Sequence, residues 1–296
     1  MMKRRAFLTS AAAVVSAAAL PRDAFAQAFP AKPIKIIVPF PPGGPADTAA
    51  RIPQAGMEKA LGQPIVIENV AGAAGAVGAN RVKQAEPDGY TLLQAASPHT
   101  TNAAVKPDAN VDLLRDFVPI GQTGNSVYTL CASKERGIKT FAEMLKSAAG
   151  IELTHVPYRG EAPAIPDLVA GRIDLMFLTT AKPLIDDGRV IGIGVTSDGP
   201  WFNLPNVKPL VELGLKDFVV PGWNGMMAPK GTPAAVLAKL SEALSAALGT
   251  DAAARGFNAM GFKPGAGTPG PMAKQIEADM RLFTTVIRER NLKFDS

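Results

Sequence analysis

The residues best placed to do chemistry in this chain offer main-chain groups more than side chains. Val38-Pro-Phe-Pro-Pro-Gly-Gly-Pro-Ala-Asp47 follows a short apolar run, Ile34 to Val38, and leads into a helical pattern near Thr48. A strand that turns through Pro-Pro-Gly-Gly into a helix leaves the first helical N–H groups without partners and directed out of the turn. Gly43 and Gly44 carry no side chain to block an anion there, and Pro45 suits the first helical position, where an N–H would have had no partner. Asp47 falls in the first turn, where acids are favoured. The stretch therefore reads either as an anion seat made of backbone or as a plain Pro-Gly turn joining strand to helix.

Catalytic side chains are scarce. There is no H-E-x-x-H, no G-x-S-x-G, no phosphate-binding G-x-x-x-x-G-K and no Cys/His cluster, so no metal centre is expected. His99 lies in Ser97-Pro-His-Thr-Thr-Asn102, a polar stretch after a strand, and reads as a binding contact or a surface loop. His155 sits in an alternating strand pattern and reads as structural. The single Cys131, inside Val127 to Ala132, cannot close an internal disulfide and reads as a small buried hydrophobe. Asp174 opens an apolar run, where a cap or turn role is expected. Tyr158 and Arg159 follow a strand end, in reach of a ligand or simply packed and solvated. No poised acid–base pair is evident, and no catalytic residue or cofactor is expected.

Strand and helix patterns alternate around these positions. The helical pattern Thr48 to Leu61 is interrupted by Pro53 and stopped by Gly62. Pro64 to Glu68 is a strand, Gly72 to Gly78 a glycine-spaced loop, Ala79 to Gln84 a helix and Tyr90 to Gln94 a strand. The G-x-x-G-x-x-G spacing is not a dinucleotide fingerprint. Phe117 to Thr123, Val127 to Ala132, Ile151 to Val156, Ile173 to Leu178, Val190 to Thr196 and Gly222 to Ala228 read as further strands. Helices are expected over Thr140 to Ala149, Ala162 to Ala170, from Thr232-Pro233, and from Thr268-Pro269. The class is α/β with mainly parallel pairing, and ligand-capable loops at strand ends.

The 296 residues are 47% hydrophobic and 19% charged, enough for one or two domains with sizeable cores. Lys3-Arg4-Arg5, the apolar Ala6 to Leu20 and Ala24-Phe25-Ala26 compose an export signal over residues 1–26, and Arg4-Arg5 also fits the twin-arginine form. Removing that segment takes four cations (Lys3, Arg4, Arg5, Arg22) and one anion (Asp23) away, so the formal net charge falls from +5 to +2. No basic run is left to suggest nucleic acid.

Taken in order, several motifs resemble one family. Ile37-Val-Pro-Phe-Pro-Pro-Gly-Gly44 with Asp47 and Arg51, Leu61-Gly-Gln-Pro64, Glu68-Asn69 and Pro87-Asp-Gly-Tyr-Thr-Leu92 are similar to the opening half of the extracytoplasmic receptors of tripartite tricarboxylate transporters, the Bug receptors. His155-Val-Pro-Tyr-Arg-Gly160, Gly171-Arg-Ile-Asp-Leu-Met-Phe177, Val195-Thr-Ser197 and Ala228-Pro-Lys-Gly-Thr-Pro233 continue the resemblance. It implies a two-domain periplasmic binding protein, type II-like, with each domain a mainly parallel sheet flanked by helices. Residues 27–125 with 224–296 would form the first domain and 126–223 the second. The ligand would be a small organic acid, a di- or tricarboxylate or a related carboxylate, held by loop amides and delivered to integral membrane subunits of the transporter. By resemblance the site would draw on Phe40, Pro42, Gly43, Gly44 and Asp47, on Gly75, Ala76 and Gly78, on Ser97 and Asn102, and on Tyr158, Asp174 and Phe177.

One departure stands out. Family members place a strand, a Gly-Ser/Thr-rich loop and another helix before the His-Val-Pro-Tyr motif, whereas here Phe141-Ala-Glu-Met-Leu-Lys146 runs directly into Ser147 to His155. The second domain is then shortened, as by an internal deletion, and the loop that would face Val38 to Asp47 is gone. Two other readings follow: a remnant of such a receptor that no longer binds, and a secreted α/β hydrolase, which lacks its nucleophile–base motif.

Overall fold

The computed structural model describes residues 29–105, 111–148 and 154–289. The first strand, β1 (Ile34–Val38), is apolar throughout its inward positions and sits between β2 (Ile65–Asn69) and β3 (Thr91–Ala96), parallel to both. Parallel neighbours need a crossover. Here it is supplied by α1 (Pro45–Arg51) with α2 (Gln54–Leu61) on one side and α3 (Ala76–Lys83) on the other. The expected long helix is two helices because Pro53 lacks the N–H that would continue the ladder, and Gly62 ends the second in the left-handed region at φ 70°. Helix α3 begins at Ala76, three residues before its expected start.

Beyond β3 the chain forms α4 (Pro98–Val105), the short α5 (Leu113–Asp116) and β4 (Phe117–Val127), a single eleven-residue strand. It then leaves the first sheet. After β5 (Thr129–Ser133) come α6 (Phe141–Ala148), α7 (Glu161–Val169), β6 (Leu175–Leu178), α8 (Ala181–Asp186) and β7 (Val190–Val195). The chain returns through β8 (Pro221–Pro229). It finishes with α9 (Ala234–Leu248), α10 (Asp251–Met260), the two-residue β9 (Lys263–Pro264) and α11 (Pro269–Glu289). Helix α6 opens on a capping box: Thr140 Oγ1 accepts from the Glu143 amide at 3.2 Å, and Glu143 Oε2 accepts from the Lys139 and Thr140 amides.

Two sheets result, of orders β2-β1-β3-β8-β4-β9 and β6-β5-β7, each flanked by helices. The α/β two-sheet class agrees with the sequence reading, but the expectation of mainly parallel pairing does not hold. Among the strands of the described residues, only the β1 pairs are parallel; β8 runs antiparallel to both β3 and β4, and β5 runs antiparallel to β6 and β7. The reason is connectivity. The chain that leaves the first sheet along β4 comes back along β8, so the two must oppose each other where they pair, from Val127↔Pro221 to Phe117↔Pro229.

The strand expected at Ile151 to Val156 falls partly outside the described residues, and its described part, Thr154 to Val156, is irregular and exposed. Strand β5 already has a partner on each side, so no ladder position beside it is free for that segment. His155 is therefore an exposed residue rather than part of a strand.

The core under the first sheet gathers Ile37, Leu93, Phe117, Trp223, Met227, Met272 and Ile276, and smaller clusters lie on the two faces of the second sheet. Where the chain crosses between sheets, Thr196 ties the passing strands together. Its amide donates to the Tyr128 carbonyl (2.9 Å) and its hydroxyl to the Val220 carbonyl (2.6 Å), while its own carbonyl accepts from the Val220 amide (2.9 Å). Cys131 is fully buried, and burial pushes its thiol up, which leaves it a packed hydrophobe.

Candidate functional site

The turns that follow β1, β2 and β3 converge at one end of the first sheet, where open α/β sheets place their ligands. They border a cavity of about 410 Å³. Pro39 to Pro41 and Gly44 to Ala46 form one wall, Ala71 to Gly75 the next, and Ala96 to Pro98 a third. Ser126, Tyr128, Trp223 and Asn224 come from the crossing strands, and Tyr158 to Ala162 with Thr179 close the far side.

The first turn is held rigid by Asp47. Its carboxylate accepts from the Gly43 amide (2.9 Å), from Arg51 Nε (3.0 Å) and from Asn69 Nδ2 (3.0 Å), and pairs with Arg51 Nη2 at 3.0 Å. Burial works to raise its pKa, but these hydrogen bonds and the guanidinium outweigh it and hold the carboxyl below the usual carboxylate range. Asn69 also donates to the Phe40 carbonyl (3.1 Å), so both sides of the turn are pinned. The amides of the first turn of α1 have no intrahelical partners, and Ala46 among them lies in the cavity wall.

The second turn depends on Gly75. Its φ is 97°, and a Cβ there would lie 2.8 Å from His99 Nε2 and 3.2 Å from Phe40 Cζ. His99 and Phe40 meet edge to face with centroids 5.2 Å apart. His99 is buried on α4, its Nδ1 bonded to the Ala96 main chain, and burial lowers its pKa to about 4. It is a neutral support of the wall and not a surface residue.

Ser97 Oγ and Tyr128 Oη are 2.9 Å apart, and burial pushes the Tyr128 phenol up to about 12, so it stays neutral. Ser126 Oγ and Asn224 Oδ1 are buried in the wall without a hydrogen-bond partner in the protein. The wall holds one guanidinium, Arg159, and one carboxylate, Glu161. The Glu161 oxygens accept from both the amide and the hydroxyl of Thr179 (2.8 and 2.6 Å) and of Thr180 (3.2 and 2.9 Å). Burial raises the Glu161 carboxyl above its usual range, against the pull of those four donors.

Of the residues singled out in the sequence, Phe40, Gly44, Gly75, Ser97 and Tyr158 line the cavity, and Arg159 joins them. Pro42, Gly43, Asp47, Ala76, Gly78, Asn102, Asp174 and Phe177 do not. Gly43 and Asp47 bond to each other inside the turn. Gly78 lies within α3, where a Cβ would sit 2.7 Å from Pro39 Cβ, so its role is close packing beneath the wall. Asn102 is a turn into α4, and Asp174 is exposed and paired with Arg136 at 2.5 Å. Phe177 faces away because alternation along β6 turns Met176 and Leu178 toward the core. Ser126, Tyr128, Glu161, Thr179, Trp223 and Asn224 were not anticipated. The signal for the strand residues was present: polar side chains inside otherwise apolar strands.

The His99 Nδ1 is committed to Ala96, and among the described residues no group of three or more His, Cys, Asp and Glu gathers to hold a metal. Two sheets joined by crossing strands, with amide-bearing turns and neutral hydroxyls around a cleft, define a solute-binding protein of the two-lobed class.

The comparisons agree with that class. Residues 49–144 and 136–292 match the tripartite tricarboxylate transporter family receptor, and the chain belongs to this family. A protein from the TAR-I ttuE-ttuC' intergenic region of Agrobacterium vitis is 35% identical over 312 aligned positions, covering 94% of this chain and 90% of its own. A solved periplasmic transporter superposes with a TM-score of 0.86 at 32% identity, covering 90% of this chain and 100% of its own. MatC from Rhodopseudomonas palustris, solved with bound malate, superposes with a TM-score of 0.83 at 29% identity, covering 88% and 100%.

Proposed function

We propose that this chain is an exported receptor that captures a small organic carboxylate in the cleft and presents it to the membrane subunits of a tripartite tricarboxylate transporter. In this reading residues 1–26 direct export to the periplasm. The lobes 27–125 with 224–296 and 126–223 close on the ligand about the crossing strands tied by Thr196. The observation that carries the reading is the composition of the cleft wall: turn amides at the ends of parallel strands, a neutral Ser97–Tyr128 pair, and the partnerless Ser126 Oγ and Asn224 Oδ1. Such a wall binds an anion by aligned dipoles and supplies hydrogen bonds to the rest of a small acid. MatC, solved with bound malate, supports a carboxylate as the ligand class.

A second reading is a shortened receptor that has lost binding, and two facts support the shortening. The family match falls into two stretches that share residues 136–144, and the alignment to the Agrobacterium relative is 312 positions long against a chain of 296. A chain that lacks a segment after α6 would show both, because the same helix serves as the end of one part and the start of the next.

Thermal melting of the full chain against mono-, di- and tricarboxylates separates the two. An acid at 100 times its dissociation constant adds about 2.7 kcal/mol to the native state, read as a rise in Tm. A cooperative melt that no acid moves would overturn the receptor reading in favour of the shortened, non-binding form.

A further inference from the structure

The Glu161 carboxylate is bound the way a ligand carboxylate would be. Two amides and two hydroxyls, from Thr179 and Thr180, point at its two oxygens at 2.6 to 3.2 Å. A carboxylate offers about four lone-pair positions, so these donors saturate it. Both Glu161 and Thr179 stand in the cleft wall, so the cradle faces the ligand space and is filled from within the chain. Opposite charge is supplied once, by Arg159, which makes no ion pair among the described residues.

We propose that Glu161 determines ligand class by filling, with its own carboxylate, the seat that a second ligand carboxylate would need, so that the cleft takes acids carrying one carboxylate. The inference rests on the receptor reading above. Two effects act together. The saturated cradle has no donor left for an incoming anion, and an acceptor-only group in the wall disfavours a second carboxylate beside it by like-charge repulsion and desolvation. The remainder of the ligand then meets Phe40, Trp223 and Ala162, an apolar wall suited to an uncharged tail.

The test compares butyrate with succinate, and valerate with glutarate, by titration calorimetry on the full chain and on its Glu161→Ala and Glu161→Gln variants. The full chain is expected to bind each monoacid at least about tenfold more tightly than its diacid partner. Glu161→Ala empties the cradle, and succinate or glutarate should gain about tenfold or more while the monoacids change less than about threefold. Glu161→Gln keeps the cradle filled without the charge, so its gain for diacids should be smaller. Thr179→Val in the Glu161→Ala background should abolish the gain. A full chain that prefers diacids, or a Glu161→Ala variant that folds with an unchanged ratio, overturns the proposal. If no acid binds the full chain the receptor reading fails separately. Diacid binding by Glu161→Ala would then still support the cradle, and its absence would overturn that as well.

Discussion

Around the six-stranded sheet, Ile34, Ile36, Ile37, Leu92, Leu93 and Trp223 are all at most 1% exposed, whereas on the three-stranded sheet Phe177 is 42% exposed and β6 is buried fully only at Leu178. The first sheet carries helices on both faces, and nearly all positions of its central strands are buried. The second has three short strands, and Phe218, packed near Phe177 at 6.3 Å, is itself 37% exposed. The contrast shows where the binding wall takes its rigidity from. The turns after β1, β2 and β3 rest on a core covered on both sides, and the facing wall rests on a thinner layer.

The largest expected effect of this difference is on core truncation. Trp223→Ala removes a fully buried ring and the donor of a 2.7 Å bond to Asp279 Oδ2, and should cost about 3–5 kcal/mol. Leu184→Ala, in the second sheet's cluster, should cost about 2 kcal/mol, because partly exposed neighbours such as Ile185 can close over the gap. Urea unfolding measures both, and equal costs would break the comparison.

Acid should act next. Folded His99 titrates at about 4 while an unfolded histidine titrates near 6.5, so between these values the unfolded chain binds more protons. Stability from this group is complete above about 6.5 and declines by about 3 kcal/mol as the pH falls toward 4. Glu161, on the other side of the cleft, has a raised carboxyl, binds its proton earlier in the folded state and works in the opposite sense. His99→Gln should remove the decline, read as the difference between the two pH–stability curves; parallel curves would mean that His99 is not buried neutral.

The smallest effect is expected at Phe177. Phe177→Ser on the exposed face of β6 should change stability by no more than about 0.5 kcal/mol in urea, while reducing the binding of a hydrophobic-surface dye. A cost near that of Leu184→Ala would mean that this face is covered in solution.

Local punctuation was readable from the residues. Pro53 breaks its helix, Gly62 ends it in the left-handed region, and Thr140 opens α6, because each effect is settled within one turn of chain. Strand direction was not readable. The apolar run Gly222 to Ala228 has the same composition whichever way its neighbours run, and only the passage of β4 out of the sheet makes β8 antiparallel. Lining of the cavity was legible where a turn alone defines it, as at Gly44 and Gly75. Asp47 lies outside the cavity lining because Arg51 one turn on and Asn69 in the neighbouring strand draw it inward. Glu161 and Thr179 lie 18 residues apart in sequence, and no spacing rule joins them.

Strand β8 lies between β3 and β4, although it follows β4 by nearly a hundred residues. During synthesis β1 to β4 therefore emerge as two separate edges with an empty place between them. The sheet can close only after residues 221–229 have left the ribosome. Until that moment both edges offer unpaired backbone to any other strand, so the length of chain delivered sets when this receptor stops being prone to aggregate.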